Sequence, residues 1–171
     1  TLAACLLTAD TVVLNRIPPV RDIATMQHLI EYAGARITVE GERVTVTAGT
    51  IQHPEAPYEL VKTMRASSLV LGPLVARTGR ARVSLPGGCA IGARPINLHV
   101  SGLEKLGARI RQEHGYIEAE APEGLRGAEV YFDRISVTGT EDLLMAAVLA
   151  DRKSTRLNSS HIPLSRMPSS A

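Results

Sequence analysis

The chain has 171 residues, 44% of them apolar, with four tyrosines, one phenylalanine and no tryptophan. That suits one domain or two very small ones, and it offers no aromatic platform for stacking nucleic-acid bases. The net charge of +2 is misleading, because Arg152, Lys153, Arg156 and Arg166 fall in an acid-free final stretch and the first 151 residues carry −2; no basic face argues for nucleic acid as a partner.

From the front, "TLAACLLTAD" reads as the middle of a helix, so the chain is expected to be a fragment at that end. No secretory leader is expected from these first residues, and no apolar run reaches the roughly 18 residues of a membrane span. Cys5 sits in this apolar stretch and reads as a small core residue. With Cys89 it makes no disulfide framework and no metal-ligand spacing. A reducing, cytoplasmic setting, no metal and no cofactor are the expectations.

The next segments repeat. Ile23, Met26, Ile30 and Ala33 hold helical spacing, and Ile96, His99, Leu103 and Leu106 hold it again 73 residues later. Gly34 and Gly107 fall where a helix takes a left-handed residue after its end. Alternation predicts strands at Ile37/Val39, Val44/Val46, Ile117/Ala119 and Val130/Phe132. "LAACLLTADTVVL" and "LVLGPLVARTGRARVSL" each read helix, turn, strand, and "EDLLMAAVLAD" begins a third such unit. The fold class is α/β (α+β), built of repeated βαβαββ units and incomplete at both ends. No strand is expected after about Asp151, and residues 152–171 read as a disordered or artefactual tail.

Matching Val12/Leu14 to Val83/Leu85 gives an offset of 71 against 73 at the helices. The second strand-to-helix loop is therefore expected to be two residues longer, and the insertion falls at Gly87, Gly88 and Cys89. Glycines open backbone angles closed to other residues, and a long loop is a candidate lid. Cys89 reads either as a reactive or proton-donating thiol on that lid or as a small buried hydrophobe. Arg94 precedes Pro95, a favoured first helical residue, at a helix N-terminus that attracts anions. Arg65 precedes another helical stretch. Both can fork onto a carboxylate or phosphate, although a solvated surface is the usual reading of any single arginine; Lys62 reads as surface. Thr138 and Glu141 have capping-box spacing, and the cap alone is the favoured reading over a polar ligand site. His99 replaces an apolar helix position, as a satisfied half-buried histidine or a site wall.

The stretches "LVKTMRAS", "LGPLVAR", "VSLPGGC-IGARP" and "LH-SGLE-LGA" together resemble the UDP-N-acetylglucosamine enolpyruvyl transferases, within the EPSP synthase-like enolpyruvyl transferase family, over nearly all of residues 1–151. The resemblance implies an inside-out α/β barrel domain, here the partial catalytic-loop domain, facing a second domain across a ligand cleft. It implies transfer of enolpyruvate from phosphoenolpyruvate to the 3′-hydroxyl of UDP-N-acetylglucosamine with release of phosphate, the first committed step of peptidoglycan synthesis. By matching positions, Cys89 resembles the loop cysteine that acts as general acid and is alkylated by fosfomycin. Arg65 and Arg94 resemble the anion-binding arginines. Arg94, Pro95, Ile96, Asn97 and Leu98, with Ser136, Val137 and Thr138, resemble the uridine-diphosphate wall, and Arg134 stands where the family often has lysine. Asn97 and Leu69 depart from the family's frequent aspartate and tryptophan. The family's N-terminal Lys-Asn pair, catalytic aspartate base and further arginines have no match in this chain, so the chain alone is expected to be inactive. The partners implied are the two small-molecule substrates and the second domain, with neither nucleic acid nor membrane. A repeat domain that only binds a nucleotide sugar or a protein, with Cys89 structural, is the alternative.

Overall fold

The computed structural model describes residues 1–62, 64–85, 96–150 and 156–158, without the side chains of Arg65 and of residues 156–158. A 3-10 turn, Leu2–Leu7, leads into β1 (Thr11–Leu14), α1 (Arg21–Tyr32), β2 (Arg36–Glu40), β3 (Arg43–Thr47), β4 (Glu55–Ala56) and the short α2 (Tyr58–Val61). A second 3-10 turn, Arg65–Val70, runs into α3 (Leu71–Thr78), followed by β5 (Arg80–Ser84), α4 (Asn97–Lys105), β6 (Arg109–Glu113), β7 (Tyr116–Glu120), β8 (Glu129–Tyr131), α5 (Val137–Leu149) and β9 (Arg156–Asn158).

One sheet is complete and shows the rule for the others. Its order is β4-β5-β7-β6, with β4 parallel to β5 and the remaining pairs antiparallel. In chain order its elements are β4, α3, β5, α4, β6 and β7, which is the βαβαββ unit. The sheet β1-β3-β2 repeats the last three strands of that pattern, and the parallel pair β8-β9 repeats its first two. The expectation that no strand follows α5 is thus corrected. Arg156–Asn158 pairs with β8 from Glu129↔Arg156 to Tyr131↔Asn158. Backbone groups make that ladder, so it needs no side-chain alternation. Among the described residues the three sheets stay separate and close no barrel.

Helix α3 lies at the centre of the core. Leu71, Gly72, Pro73, Leu74 and Val75 of α3 are all buried in succession, the mark of a helix covered on every side. It packs on the Leu2–Leu7 turn and on α5, which also touch each other. Leu6, Leu29, Ile30, Leu71, Leu74, Leu103, Leu106, Ile117 and Leu143 are the large side chains sealed in this core. The expected helical stripe of α1 holds, with Met26, Ile30 and Ala33 buried and Ile23 packed against the core. Val39 does not follow its expected inward alternation. It sits on the edge strand β2 and is 54% exposed.

The paired helix ends are as expected: Gly34 has φ +117° and Gly107 φ +93°. At Gly34 a Cβ would also lie 2.8 Å from the Thr50 carbonyl oxygen, so glycine is required twice over. The strand register corrects the loop length. Thr11 pairs with Thr47 and Arg80 with Glu120, which sets β1 and β5 69 residues apart, against 73 for β3 and β7. The second strand-to-helix loop is four residues longer than the first.

Candidate functional site

The site is built where α4 and α5 begin. The two helices run parallel. Near their N-termini His99 lies against the Thr138 backbone, and further along Gly102 lies against Leu143, so closely that a Cβ at Gly102 would fall 2.0 Å from Leu143 Cδ1. Their first turns therefore sit side by side. Each first turn carries amides with no intrahelical acceptor and a partial positive charge, and two adjacent ones make a mouth suited to anions.

This juxtaposition brings together seven of the residues singled out from the sequence. Ile96 is the N-cap of α4, and Asn97 and Leu98 are its first two residues. Ser136 is the N-cap of α5, with Val137 and Thr138 next, and Arg134 lies exposed on the approach from β8. Asn97, Val137 and Thr138 are exposed, while Ile96, Leu98 and Ser136 are half-buried. The Arg65–Val70 turn packs on α5, the same helix. Cys89, Arg94 and Pro95 lie outside the described residues.

The Thr138–Glu141 capping box is not formed. The helix starts two residues earlier, and Ser136 Oγ accepts the Gly139 N–H at 3.1 Å. A Cβ at Gly139 would be 2.8 Å from that Oγ, so the cap closes over a residue without a side chain. Thr138 is thus an exposed second residue of the helix and not its cap. Nor is His99 half-buried. It is 3% exposed, and its ring lies by the Thr138 backbone without a well-formed hydrogen bond from either nitrogen. Burial pulls the imidazole down to about 4, with the Thr138 backbone opposing, so the ring is neutral at physiological pH.

Sequence reasoning missed Asp142. It is completely buried, Oδ1 accepts the Gly72 N–H at 2.8 Å, and Oδ2 has no partner. Burial pushes its carboxyl up to about 8, with the Gly72 bond opposing. The available signal was its place on the apolar side of α5 with Leu143 and Ala146. Cys5 is 3% exposed, and burial raises its thiol, as expected of a core residue. On the outer face of the complete sheet, a groove between Arg80, Arg82, Glu118 and Glu120 is occupied by its own ion pair, Arg82 to Glu118 at 3.1 Å. Arg82 also stacks 3.9 Å over the Tyr116 ring. Among the described residues no group of three or more His, Cys, Asp or Glu could hold a metal ion, and no helix is long and apolar enough to cross a membrane.

With this geometry in place, the likenesses to other proteins are specific. The family model described as EPSP synthase (3-phosphoshikimate 1-carboxyvinyltransferase) matches residues 1–169. The UDP-N-acetylglucosamine 1-carboxyvinyltransferase of Solibacter usitatus is 68% identical over 162 residues, covering 95% of this chain and 39% of that protein. The protein of the same name in Koribacter versatilis is 58% identical over 166 residues, covering 95% and 38%. The chain thus spans about two-fifths of the length of the curated relatives it matches. Among solved structures, the enolpyruvyl transferase NikO from Streptomyces tendae superposes with a TM-score of 0.69 at 21% identity, over 86% of this chain and 34% of that one. EPSP synthase from Acinetobacter baumannii gives 0.66 at 17% identity, over 88% and 36%. At those identities the two structures speak to the fold alone.

Proposed function

Because this chain belongs to the EPSP synthase family, the family of 3-phosphoshikimate 1-carboxyvinyltransferase, we propose that it is the catalytic-loop part of a UDP-N-acetylglucosamine 1-carboxyvinyltransferase. The observation that carries the reading is the 68% identity to the Solibacter usitatus enzyme of that name across 95% of the chain. In that reading the chain works on phosphoenolpyruvate and UDP-N-acetylglucosamine, in the cytoplasm, as one side of a cleft whose other side is a second domain. Residues 1–151, with the strand Arg156–Asn158 paired to β8, form the partial domain, and the three outer sheets are arcs of an inside-out barrel.

The chemistry assigns each residue a task. Phosphoenolpyruvate must be protonated at its methylene carbon, which leaves an oxocarbenium-like centre between a carboxylate and a phosphate. Arg65 and Arg94 hold those anions. Cys89 supplies the proton as a general acid on a loop that closes and excludes water. The paired first turns of α4 and α5, through Ile96–Leu98 and Ser136–Thr138, take the nucleotide diphosphate, with Pro95 starting the wall and Arg134 adding positive charge. The sugar hydroxyl, its proton taken by a base of the second domain, then adds to the activated carbon; phosphate leaves, and the new methyl group gives up a proton, which restores the double bond of the enolpyruvyl product.

A chimera tests the proposal. Residues 1–150 of this chain replace the matching segment of the Solibacter usitatus enzyme, and phosphate release from phosphoenolpyruvate is measured with and without UDP-N-acetylglucosamine. Release that depends on the sugar nucleotide, and falls at least a hundredfold in Cys89→Ala, is the expected result. A soluble chimera that binds UDP-N-acetylglucosamine but releases no phosphate refutes the catalytic assignment and leaves a binding module.

A further inference from the structure

We infer that Asp142 is a positioning residue whose carboxyl ties the start of α3, and with it the Arg65–Val70 turn, to the Ser136–Thr138 end of α5. The inference rests on the proposed reading of those two segments as parts of one substrate wall.

The geometry is that of a cap supplied from another helix. Gly72 is the second residue of α3, so its amide has no acceptor within its own helix. The N-cap residue, Val70, offers no side-chain hydrogen bond. Asp142 Oδ1 fills that role across the interface at 2.8 Å. The helices touch backbone to backbone there, since a Cβ on Gly72 would lie 2.4 Å from the Asp142 carbonyl oxygen. No side chain could intervene.

Both ends of the tie lead to the wall. The Arg65–Val70 turn is continuous with α3, joined by the Leu71 N–H to the Ser68 carbonyl, and it is braced from below by Ser67 Oγ on the Met64 carbonyl at 2.8 Å. On α5, Asp142 stands four residues after Thr138, one turn along the same face. A carboxyl is costly to bury with one oxygen unpartnered. An apolar side chain would pack here without that cost and would leave the Gly72 amide orphaned, so the carboxyl's one asset is its acceptor.

The test uses the full 171-residue chain, isotope-labelled, with Asp142→Asn and Asp142→Ala. A scalar coupling across the hydrogen bond between Gly72 nitrogen and Asp142 Cγ is expected in the unmodified chain; its absence overturns the inference even if Asp142→Ala fails to fold. In Asp142→Ala, amide exchange at Gly72 and across Arg65–Val70 is expected to rise at least tenfold. Asp142→Asn, which keeps the acceptor, should stay within threefold. Unchanged exchange in Asp142→Ala, or equal disruption by both variants, refutes the tie. Titration with UDP-N-acetylglucosamine, read at the Ser136–Thr138 amides, should weaken at least tenfold in Asp142→Ala and be rescued by Asp142→Asn. An unchanged affinity in Asp142→Ala refutes the positioning role. No binding by the unmodified chain, with the exchange pattern as expected, removes the functional reading and leaves the tie standing.

Discussion

Asp142 also makes a prediction about stability against pH. Its carboxyl titrates at about 8 in the folded chain against a reference of 3.8. Between those values the folded state holds a proton that the unfolded state has released, so raising the pH favours unfolding. The contribution of Asp142 is therefore best near pH 4, declines as pH rises to about 8, and is flat above. A shift of roughly four units corresponds to on the order of 5 kcal/mol, an upper figure because relaxation and water entry shrink the cost of a buried charge. Asparagine keeps the acceptor for Gly72 and cannot ionise, at the cost of an unpartnered amide of about 1–3 kcal/mol. Asp142→Asn is thus expected to equal or slightly trail the original chain at pH 4, and to exceed it by about 1–3 kcal/mol at pH 8. Urea unfolding of both chains at pH 4, 5, 6, 7 and 8 isolates the effect, since the other carboxylates are common to both. Parallel stability curves across that range would show that Asp142 ionises freely and would refute the burial argument.

Other outcomes follow from the same packing. Gly102→Ala puts a methyl 2.0 Å from Leu143 Cδ1 and is expected to cost about 1–3 kcal/mol; a double-mutant cycle with Leu143→Ala should show a coupling of about 1 kcal/mol or more, and strict additivity would contradict the contact. Ser136→Ala removes the α5 cap and should cost about 1 kcal/mol in urea unfolding. His99, held down at about 4 by burial, should stay neutral in nitrogen NMR from pH 5 to 8, and its burial makes stability fall as pH drops from about 6.5 towards 4; a titration above pH 6 would refute this. Limited fosfomycin or iodoacetamide treatment should label Cys89 ahead of Cys5, whose thiol is sealed in the core, and peptide mapping that finds Cys5 modified first would overturn the assignment.

What the sequence made legible were features that repeat. Gly34 and Gly107, and the helical stripes before them, recur in the same order and announce the unit. The loop insertion was read two residues short because a strand's side-chain period is two. Sliding β1 by two against β5 keeps every apolar residue on its face, and only the ladder to β3 and β7 fixes the register. Strand β4 is two residues long, too short for alternation to show. The α5 cap was misplaced because Thr138 and Glu141 have the right spacing, while the residue that needs capping is Gly139, invisible to a rule that looks for an acid. By residue type nothing separates Asp142 from its neighbour Glu141; its burial depends on α3 arriving from 70 residues away.

The parallel pairing of α4 and α5 has a thermodynamic side. Two helices aligned head to head place like poles together, and the fold must carry that repulsion whenever the mouth is empty. On the proposed reading, an anion seated there relieves it and so adds to the cohesion of the two helices. Ligand affinity is then readable as a melting temperature, rising with the logarithm of anion concentration. Salt weakens the repulsion and the attraction alike, so the thermal gain from a bound anion shrinks as ionic strength rises.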